Sequence, residues 1–249
     1  GQAVARRLLA DGACVVLADL DAPALQSVGA ALAGEFGPDR VRQMAMDVTD
    51  EAEVEAAAAL AAREYGGLDI LVANAGIASA APIEETSLAL WRRNHGVLAE
   101  GYFLTARAAF PLMKAFGGAM VFVGSKNALA AAVDASAYAS AKAAAVHLAR
   151  CLALEGAPHG IRVNVVNPDA VIRGSRIWDG DWRQARAEAH GIDPGEALEA
   201  HYRERSLLKR AVLPEDVAEA VVFLASDRAA KSTGNILNVD AGNAQAFTR

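Results

Sequence analysis

Tyr138 and Lys142 stand four residues apart in an alanine-rich run, and Ser125 lies thirteen residues before the tyrosine. Residues four apart share one face of a helix, so the phenol and the ammonium can point into the same cleft. A free tyrosine titrates near pH ~10, but a nearby cation favours the phenolate and brings that pKa towards the range in which proton transfer is efficient. The three residues are therefore candidates for an acid–base centre. Taken alone, a Tyr-x-x-x-Lys pair more often marks a solvated helix face.

Short apolar runs alternate with helical stretches along the whole chain. Strands are predicted at 14–18, 41–46, 69–73, 119–123, 161–166 and 235–239, and helices near 22–34, 50–65, 87–115, 136–156 and 214–226. Strands without polar alternation, separated by helices, indicate a parallel sheet covered on both faces. The predicted fold is therefore α/β, a doubly wound parallel sheet of the three-layer Rossmann type. Ser125 follows the strand 119–123, at the carboxyl edge where such sheets bind ligands.

The first ten residues already have a helical pattern, with no strand before them. A dinucleotide-binding fold opens with a strand and a glycine loop whose amides meet the pyrophosphate. Only Gly1 stands at that position as a cofactor-binding candidate. We therefore expect residues 1–249 to form a single NAD(P)-binding domain that is cropped at its N-terminus, with the first strand and the glycine loop missing.

Composition narrows the class of protein. A chain of 249 residues with 53% hydrophobic content and no linker-like stretch favours one domain. The net charge of −6 argues against nucleic-acid and anionic-membrane partners. No apolar run approaches the ~18 residues of a membrane span, and no signal peptide opens the chain. Cys14 and Cys151 are expected to be core thiols of a reduced, cytoplasmic compartment, without a disulfide.

Carboxylates follow two of the predicted strands. Asp19 can accept hydrogen bonds from both adenosine ribose hydroxyls and would repel a 2′-phosphate, which predicts NAD in preference to NADP. The alternative role for Asp19, a helix cap, fits Asp21 before Pro23 better. For Asp47-Val48, cofactor contact and a plain turn into the next helix are equally good interpretations.

Asn74, Ala75 and Gly76 end the strand 69–73. Small residues there would allow a flat ring or a ribose to approach the backbone closely. A simple strand-to-loop turn is the alternative.

The residues singled out so far, with one Asn-Pro pair, occur in a fixed order along the chain. They are Asp19, Asp47-Val48, Asn74-Ala75-Gly76, Ser125, Tyr138-x-x-x-Lys142 and Asn167-Pro168. Together they resemble the short-chain dehydrogenase/reductase family over the whole length of the chain. The resemblance implies an enzyme that uses NAD(P) and transfers hydride between a carbinol carbon and the nicotinamide.

The resemblance also implies a role for each matching residue. Tyr138 would be the acid/base, and Ser125 would hold the substrate oxygen. Lys142 would lower the pKa of the tyrosine and bind the nicotinamide ribose. Pro168 would border the cofactor, and Val171 would contact the nicotinamide amide through its backbone.

Four stretches, at 125–129, 167–171, 174–180 and 230–237, look like the dehydrogenase domain of bifunctional rhamnulose-1-phosphate aldolase/short-chain dehydrogenase proteins. This narrower resemblance implies lactaldehyde as a small-molecule substrate in rhamnose or other deoxysugar catabolism, and an aldolase domain fused upstream. We also expect a homo-oligomer. Two alternatives stay open: a dehydrogenase of another polyol, secondary alcohol or steroid-like alcohol, and a non-catalytic cofactor-binding module.

Three positions depart from the family pattern. Leu98 stands where the family usually has an asparagine that helps anchor a relay water, and Asn94, one turn earlier, could point the same way or be an exposed helix residue. Asp169 replaces a glycine and either favours the oxidised nicotinamide or caps a turn. Arg173 replaces a common threonine and either reaches an anion or is a surface arginine.

Residues 174–210 are polar and aromatic and lack a strand pattern, which fits a segment that covers the substrate. Acidic and basic residues nearly balance there, so no strongly anionic substrate is expected. His190 and His201 lack the spacing of a metal motif, so no metal is predicted and both are expected at the surface.

Overall fold

The computed structural model describes residues 1–247. Within them the strands are β1 (Val15–Asp19), β2 (Val41–Ala45), β3 (Ile70–Ala73), β4 (Gly118–Val123), β5 (Ile161–Pro168) and β6 (Ile236–Val239). The helices are α1 (Gln2–Ala10), α2 (Ala22–Phe36), α3 (Glu51–Tyr65), α4 (Leu88–His95), α5 (Gly101–Met113), α6 (Ser136–Gly156), α7 (Asp181–His190), α8 (Glu196–Arg205) and α9 (Pro214–Ala225). A π-helical turn, Gly96–Glu100, joins α4 to α5, so the helix predicted at 87–115 is continuous but distorted.

The predicted elements are confirmed, with ends that differ by at most two residues. Capping side chains explain several of the helix starts. The Asp21 carboxylate accepts the N–H of Ala24 at the start of α2, and Asp50 accepts the N–H groups of Ala52 and Glu53 at the start of α3. The helices α7 and α8, in the segment 174–210, were not predicted.

Every strand pair is parallel, which confirms the doubly wound α/β class. The strands form a two-stranded sheet, β1-β2, and a four-stranded sheet, β3-β4-β5-β6. Both β1 and β3 line one large cleft of about 1970 Å³. This volume is named the cleft below.

The four-stranded sheet is covered on both faces. Val121 of β4 belongs to a buried cluster that includes Val221 of α9 and extends to α1. The next residue, Phe122, points to the opposite face and belongs to a cluster with Ala149 of α6 and residues of α5. This alternation produces the three predicted layers and fixes the end of β4, from which Ser125 follows.

Two further features concern the surface. Cys14 and Cys151 are both exposed, so the prediction of core thiols is wrong. Cys14 lies in the turn before β1, and Cys151 lies on the outer face of α6, whose inner face carries Ala149 and Ala153. Across residues 1–247, the helices are all too short or too polar to cross a membrane.

Candidate functional site

Ser125 is held at the carboxyl end of β4 by its backbone. Its N–H donates to the Asn167 Oδ1 at 3.0 Å, and the N–H of Gly124 donates to the Val166 carbonyl at 2.8 Å. A Cβ at position 124 would lie 2.2 Å from the Asn167 Oδ1, so only glycine fits there. The Ser125 Oγ accepts the N–H of Asn127 at 3.2 Å, which leaves its own O–H to donate elsewhere.

Tyr138 lies in the first turn of α6, on the side that faces the cleft. Its ring is buried and packs against Trp182 of α7, with ring centres 5.5 Å apart. Burial raises the pKa of the Tyr138 phenol, and hydrogen bonding with the Ser125 hydroxyl acts in the opposite direction. The structure therefore brings the predicted hydroxyl pair together.

Lys142 is one turn further along the same face of α6, and it is 4% exposed. Its ammonium donates to the Val123 carbonyl at 2.7 Å and to the Tyr102 hydroxyl at 3.0 Å. Burial lowers the pKa of Lys142 to about 7. In this structure the Lys142 ammonium is directed to Tyr102 and Val123, while burial raises the pKa of Tyr138. That Lys142 lowers the pKa of Tyr138 stays a prediction.

Tyr102 is the site residue that the sequence reasoning missed. It is 2% exposed, and its hydroxyl donates to the Val123 carbonyl at 2.7 Å. Its ring also lies under the Lys142 ammonium, with the Nζ 4.9 Å from the ring centre. A tyrosine on the buried face of α5 looks like a core aromatic residue in the sequence. The one feature of the sequence that could have indicated a site role for Tyr102 is its position. It lies one helical turn after Leu98, which replaces the asparagine usual in the family.

The structure contradicts one of the two interpretations of Asn94 and shows where Leu98 lies. Asn94 is fully buried, so the interpretation as an exposed helix residue is wrong. Its amide donates to the Ser79 Oγ at 2.8 Å, and its Oδ1 is buried without a partner among the described residues. Leu98 lies in the π-helical turn, and a Cβ at Gly76 would be 3.5 Å from its Cδ2 and 3.9 Å from the Lys142 Nζ. The Leu98 side chain and the Lys142 ammonium therefore both lie next to Gly76.

Asp19 ends β1 at the edge of the cleft, where it is exposed. Its Oδ1 accepts the N–H of Asp21 at 2.9 Å, while Asp21 itself caps α2, as predicted. In the same cleft, a Cβ at Gly1 would lie 3.1 Å from the Asn74 Nδ2. The first residue of the chain and the loop Asn74-Ala75-Gly76 after β3 therefore lie side by side.

Asp47 and Val48 form the turn that the sequence left as one alternative. The Asp47 Oδ1 accepts the N–H of Thr49 at 2.9 Å, and its own N–H donates to the Glu53 Oε2 at 2.7 Å. Val48 is buried beneath α5, where a Cβ at Gly101 would lie 2.8 Å from its Cγ2. Both residues also line the cleft, so the turn does not exclude cofactor contact.

The segment after β5 corrects one expectation. Pro168 pairs with Val239 of β6, and Val171 lines the cleft beside it. The Asp169 carboxylate accepts the side-chain amide of Asn243 at 2.9 Å and forms an ion pair with Arg205. The interpretation of Asp169 as a turn cap is therefore wrong, whereas an effect of Asp169 on the oxidised nicotinamide stays a prediction.

Arg173, after the same strand, pairs with Glu199 at 2.9 Å, with its side chain 71% exposed. The interpretation of Arg173 as a surface arginine is therefore the one that matches this structure.

Trp178, Trp182 and Tyr202 form an aromatic wall next to Tyr138. Trp182 lies 6.2 Å from Trp178, and Trp178 lies 5.4 Å from Tyr202, as ring centres. The rings of His190 and His201 are 4.3 Å apart, and burial lowers the pKa of both. The described part of the chain contains no group of three or more His, Cys, Asp or Glu side chains able to hold a metal ion.

Known proteins resemble this chain over nearly all of it. A family model described as enoyl-(acyl carrier protein) reductase matches residues 1–244. The uncharacterized oxidoreductase YuxG of Bacillus subtilis is 50% identical over the whole chain, which spans 36% of YuxG, about a third of its length. The D-threitol dehydrogenase of Mycolicibacterium smegmatis is 36% identical over 97% of this chain and 87% of its own.

The fold gives the same assignment. The crystal structure of sorbitol-6-phosphate 2-dehydrogenase SrlD from Erwinia amylovora superimposes with a TM-score of 0.91, at 31% identity, over 98% of this chain and 94% of that one. The parallel sheet, the buried Ser125, Tyr138 and Lys142 and these matches lead to one conclusion. The chain belongs to the short-chain dehydrogenase/reductase family of oxidoreductases, which bind a nicotinamide cofactor.

Proposed function

We propose that the protein is an NAD-dependent dehydrogenase that acts on a small hydroxy-aldehyde or alcohol. The observation that carries the proposal is the convergence of Ser125, Tyr138 and Lys142, all buried, on one end of the cleft. Tyr138 exchanges the proton of the reacting hydroxyl, and Ser125 donates a hydrogen bond to the same oxygen. Lys142 holds the nicotinamide ribose with its ammonium.

The residues of the cleft fit a nicotinamide dinucleotide. The cleft extends from Asp19, at the end of β1, to Ser125, after β4, and is larger than the ~300–1,000 Å³ of common ligand pockets. A Cβ at Gly76 would lie 3.9 Å from the Lys142 Nζ. Because glycine has no Cβ, that side of the ammonium is open to a ribose. When bound, the nicotinamide accepts or returns the hydride of the carbinol carbon. The protein's own part is to orient that carbon and to move the proton at the Tyr138 oxygen.

Asp19 supports NAD as the cofactor. Its carboxylate is exposed at the cleft edge, and one of its oxygens is engaged by the N–H of Asp21. The second oxygen can accept a ribose hydroxyl, whereas a 2′-phosphate at that place would meet a like charge.

For the substrate we propose lactaldehyde, on the basis of the resemblance of residues 125–129 and 174–180 to the dehydrogenase domain of aldolase/dehydrogenase proteins. As its hydrate, lactaldehyde presents a carbinol whose hydride passes to the nicotinamide while Tyr138 takes the hydroxyl proton, which gives lactate. In the opposite direction the same residues would reduce the aldehyde to propane-1,2-diol. The likeness to a D-threitol dehydrogenase favours a second candidate, a short polyol.

A substrate panel tests the proposal on the full-length protein. Lactaldehyde, glycolaldehyde, threitol and a steroid alcohol are assayed with NAD, and the carbonyl compounds are also assayed with NADH. We expect the highest kcat/KM for lactaldehyde, because Trp182 packs against the Tyr138 ring and Trp178 packs against Trp182, and these bulky rings favour a short substrate at Tyr138. A much higher kcat/KM for threitol or the steroid alcohol would reject the lactaldehyde assignment. No turnover of any substrate would reject the enzymatic function.

A further inference from the structure

We infer that the wall of the cleft next to the reacting centre carries a carboxylate-binding subsite formed by Lys126 and Arg186, and that its ligand is a small hydroxycarboxylate. The inference deepens the proposed function and rests on it for the position of the reacting carbon. Of the two products open to the proposed reaction, lactate has such a group and propane-1,2-diol does not.

Both cations are buried without an anionic partner. Lys126 is 6% exposed, and among the described residues its ammonium makes neither a hydrogen bond nor an ion pair. Arg186 is 4% exposed, and of its five N–H donors one is used, from Nη2 to the Val133 carbonyl at 3.0 Å. Its Nε is buried with no acceptor in the described part of the chain. A buried cation is costly unless it is paired, so this arrangement calls for an anion.

The surrounding charges leave one positive charge in excess. The groups that act electrostatically on Lys126 are Asp169, Arg205, Arg186 and Asp240. Asp169 is already paired with Arg205. The charges that remain are one negative charge, on Asp240, and two positive charges, on Lys126 and Arg186. One bound carboxylate would make their sum zero. Burial lowers the pKa of Lys126, and an anion bound beside it would act in the opposite direction.

His190 lies near the same cations. The pKa of His190 is lowered by burial first, then by His201, Arg186, Arg205 and Lys126. Because this pKa falls below its usual value near ~6.5, the imidazole is mainly neutral at pH 7 and adds no positive charge to this set.

Both cations line the same cleft as the reacting centre. Lys126 directly follows Ser125, and both line the cleft. The Arg186 guanidinium carbon is 4.9 Å from the centre of the Trp182 ring, which in turn packs 5.5 Å from the Tyr138 ring. In the proposed oxidation the reacting carbon of the lactaldehyde hydrate becomes the carboxylate carbon of lactate. One oxygen of that carboxylate therefore stays at Ser125 and Tyr138, and the other faces the wall that carries Lys126 and Arg186.

The inference departs from the expectation that no strongly anionic substrate is indicated. That expectation used the near balance of charges in the sequence of residues 174–210. In the structure Arg186 is the charged residue of that segment that is buried, while the acidic side chains stay outside the core. The exposed ones are Asp179, Asp181, Glu188, Asp193, Glu196 and Glu204. A count along the chain cannot distinguish a buried charge from a solvated one.

The test compares L-lactate with L-lactamide, an uncharged analogue of the same shape, by calorimetric titration of the full-length protein with NADH present. We expect lactate to bind at least about tenfold more tightly than lactamide, because only lactate supplies the missing charge. Lys126→Met and Arg186→Met should each weaken lactate binding by about tenfold or more and leave lactamide within about twofold. Lys126→Arg should retain most of the preference.

Arg173→Met is the matched control, since it removes an exposed cation of the same region that is already paired with Glu199. It should change neither affinity. Equal binding of lactate and lactamide by the unmodified protein would overturn the inference, even if Arg186→Met fails to fold. So would an equal loss of both ligands in Lys126→Met, which would indicate a packing role. Because the readout is binding, lactate preference without lactaldehyde turnover would reject the proposed substrate and keep the subsite.

Discussion

Replacing Tyr102 by phenylalanine tests how the Lys142 ammonium is held. The change removes the hydroxyl that accepts from Lys142 at 3.0 Å, but it keeps the ring beneath the Nζ. The Val123 carbonyl keeps a donor, because Lys142 still reaches it at 2.7 Å. The variant therefore deletes one acceptor of a buried cation and leaves no other group without a partner.

The size of the effect depends on the charge of Lys142. A hydrogen bond to a charged group contributes about 1.5–3 kcal/mol, and one between neutral groups about 1 kcal/mol. Burial lowers the pKa of Lys142 to about 7, so the ammonium is mostly charged at pH 6 and mostly neutral at pH 9. Tyr102→Phe should therefore lower the free energy of unfolding by about 2 kcal/mol at pH 6 and by about 1 kcal/mol or less at pH 9.

Urea denaturation of both proteins at the two pH values measures this difference. Tyr65→Phe is the matched control, because the Tyr65 hydroxyl is buried without a partner among the described residues and its loss should cost little at either pH. A destabilisation by Tyr102→Phe that is the same at pH 6 and pH 9, or no larger than that of Tyr65→Phe, would refute the reasoning.

Three further outcomes follow from the same structure. Asp19→Ser should reduce the ratio of kcat/KM with NAD to that with NADP, and an unchanged ratio would make Asp19 purely structural. Gly124→Ala places a Cβ 2.2 Å from the Asn167 Oδ1, so it should lower the free energy of unfolding by about 1–3 kcal/mol, measured by urea titration. The folded-state pKa of Lys142 is depressed to about 7, so the unfolded state binds more protons above that pH. Stability should therefore rise from pH 7 to pH 9 in the parent protein, and Lys142→Met should remove that rise; an unchanged slope would contradict the burial of the charge.

The sequence predicted the strands well because each is a short, unbroken apolar run, as at 119–123, that only a doubly covered sheet can bury. It also placed Ser125 at the end of a strand, and Tyr138 and Lys142 on one face of a helix. Both placements follow from local spacing and do not depend on contacts between distant segments. Asp21 was identified as a cap for the same local reason.

The rest depended on contacts between distant segments. Tyr102 is 40 positions from Lys142 in the chain, and nothing local distinguishes its hydroxyl from that of any core tyrosine. Lys126 and Arg186 line the same cleft only because α7 packs against the segment that follows β4. The exposure of Cys151 similarly depends on which face of α6 turns to the sheet. The spacing of residues predicts which side chains share one helix or strand, but the packing of helices and strands determines which other side chains they contact.

The measurement that tests the central claim most directly is single-turnover hydride transfer by Tyr138→Phe, recorded as NADH absorbance with lactaldehyde or the best substrate of the panel. The ring still packs against Trp182, so NAD affinity should stay within about twofold of the parent value. The hydroxyl that exchanges the proton is gone, so the rate should fall by about 10²–10⁴-fold. A rate within a few-fold of the parent protein, with NAD bound, would contradict the assignment of Tyr138 as the acid/base.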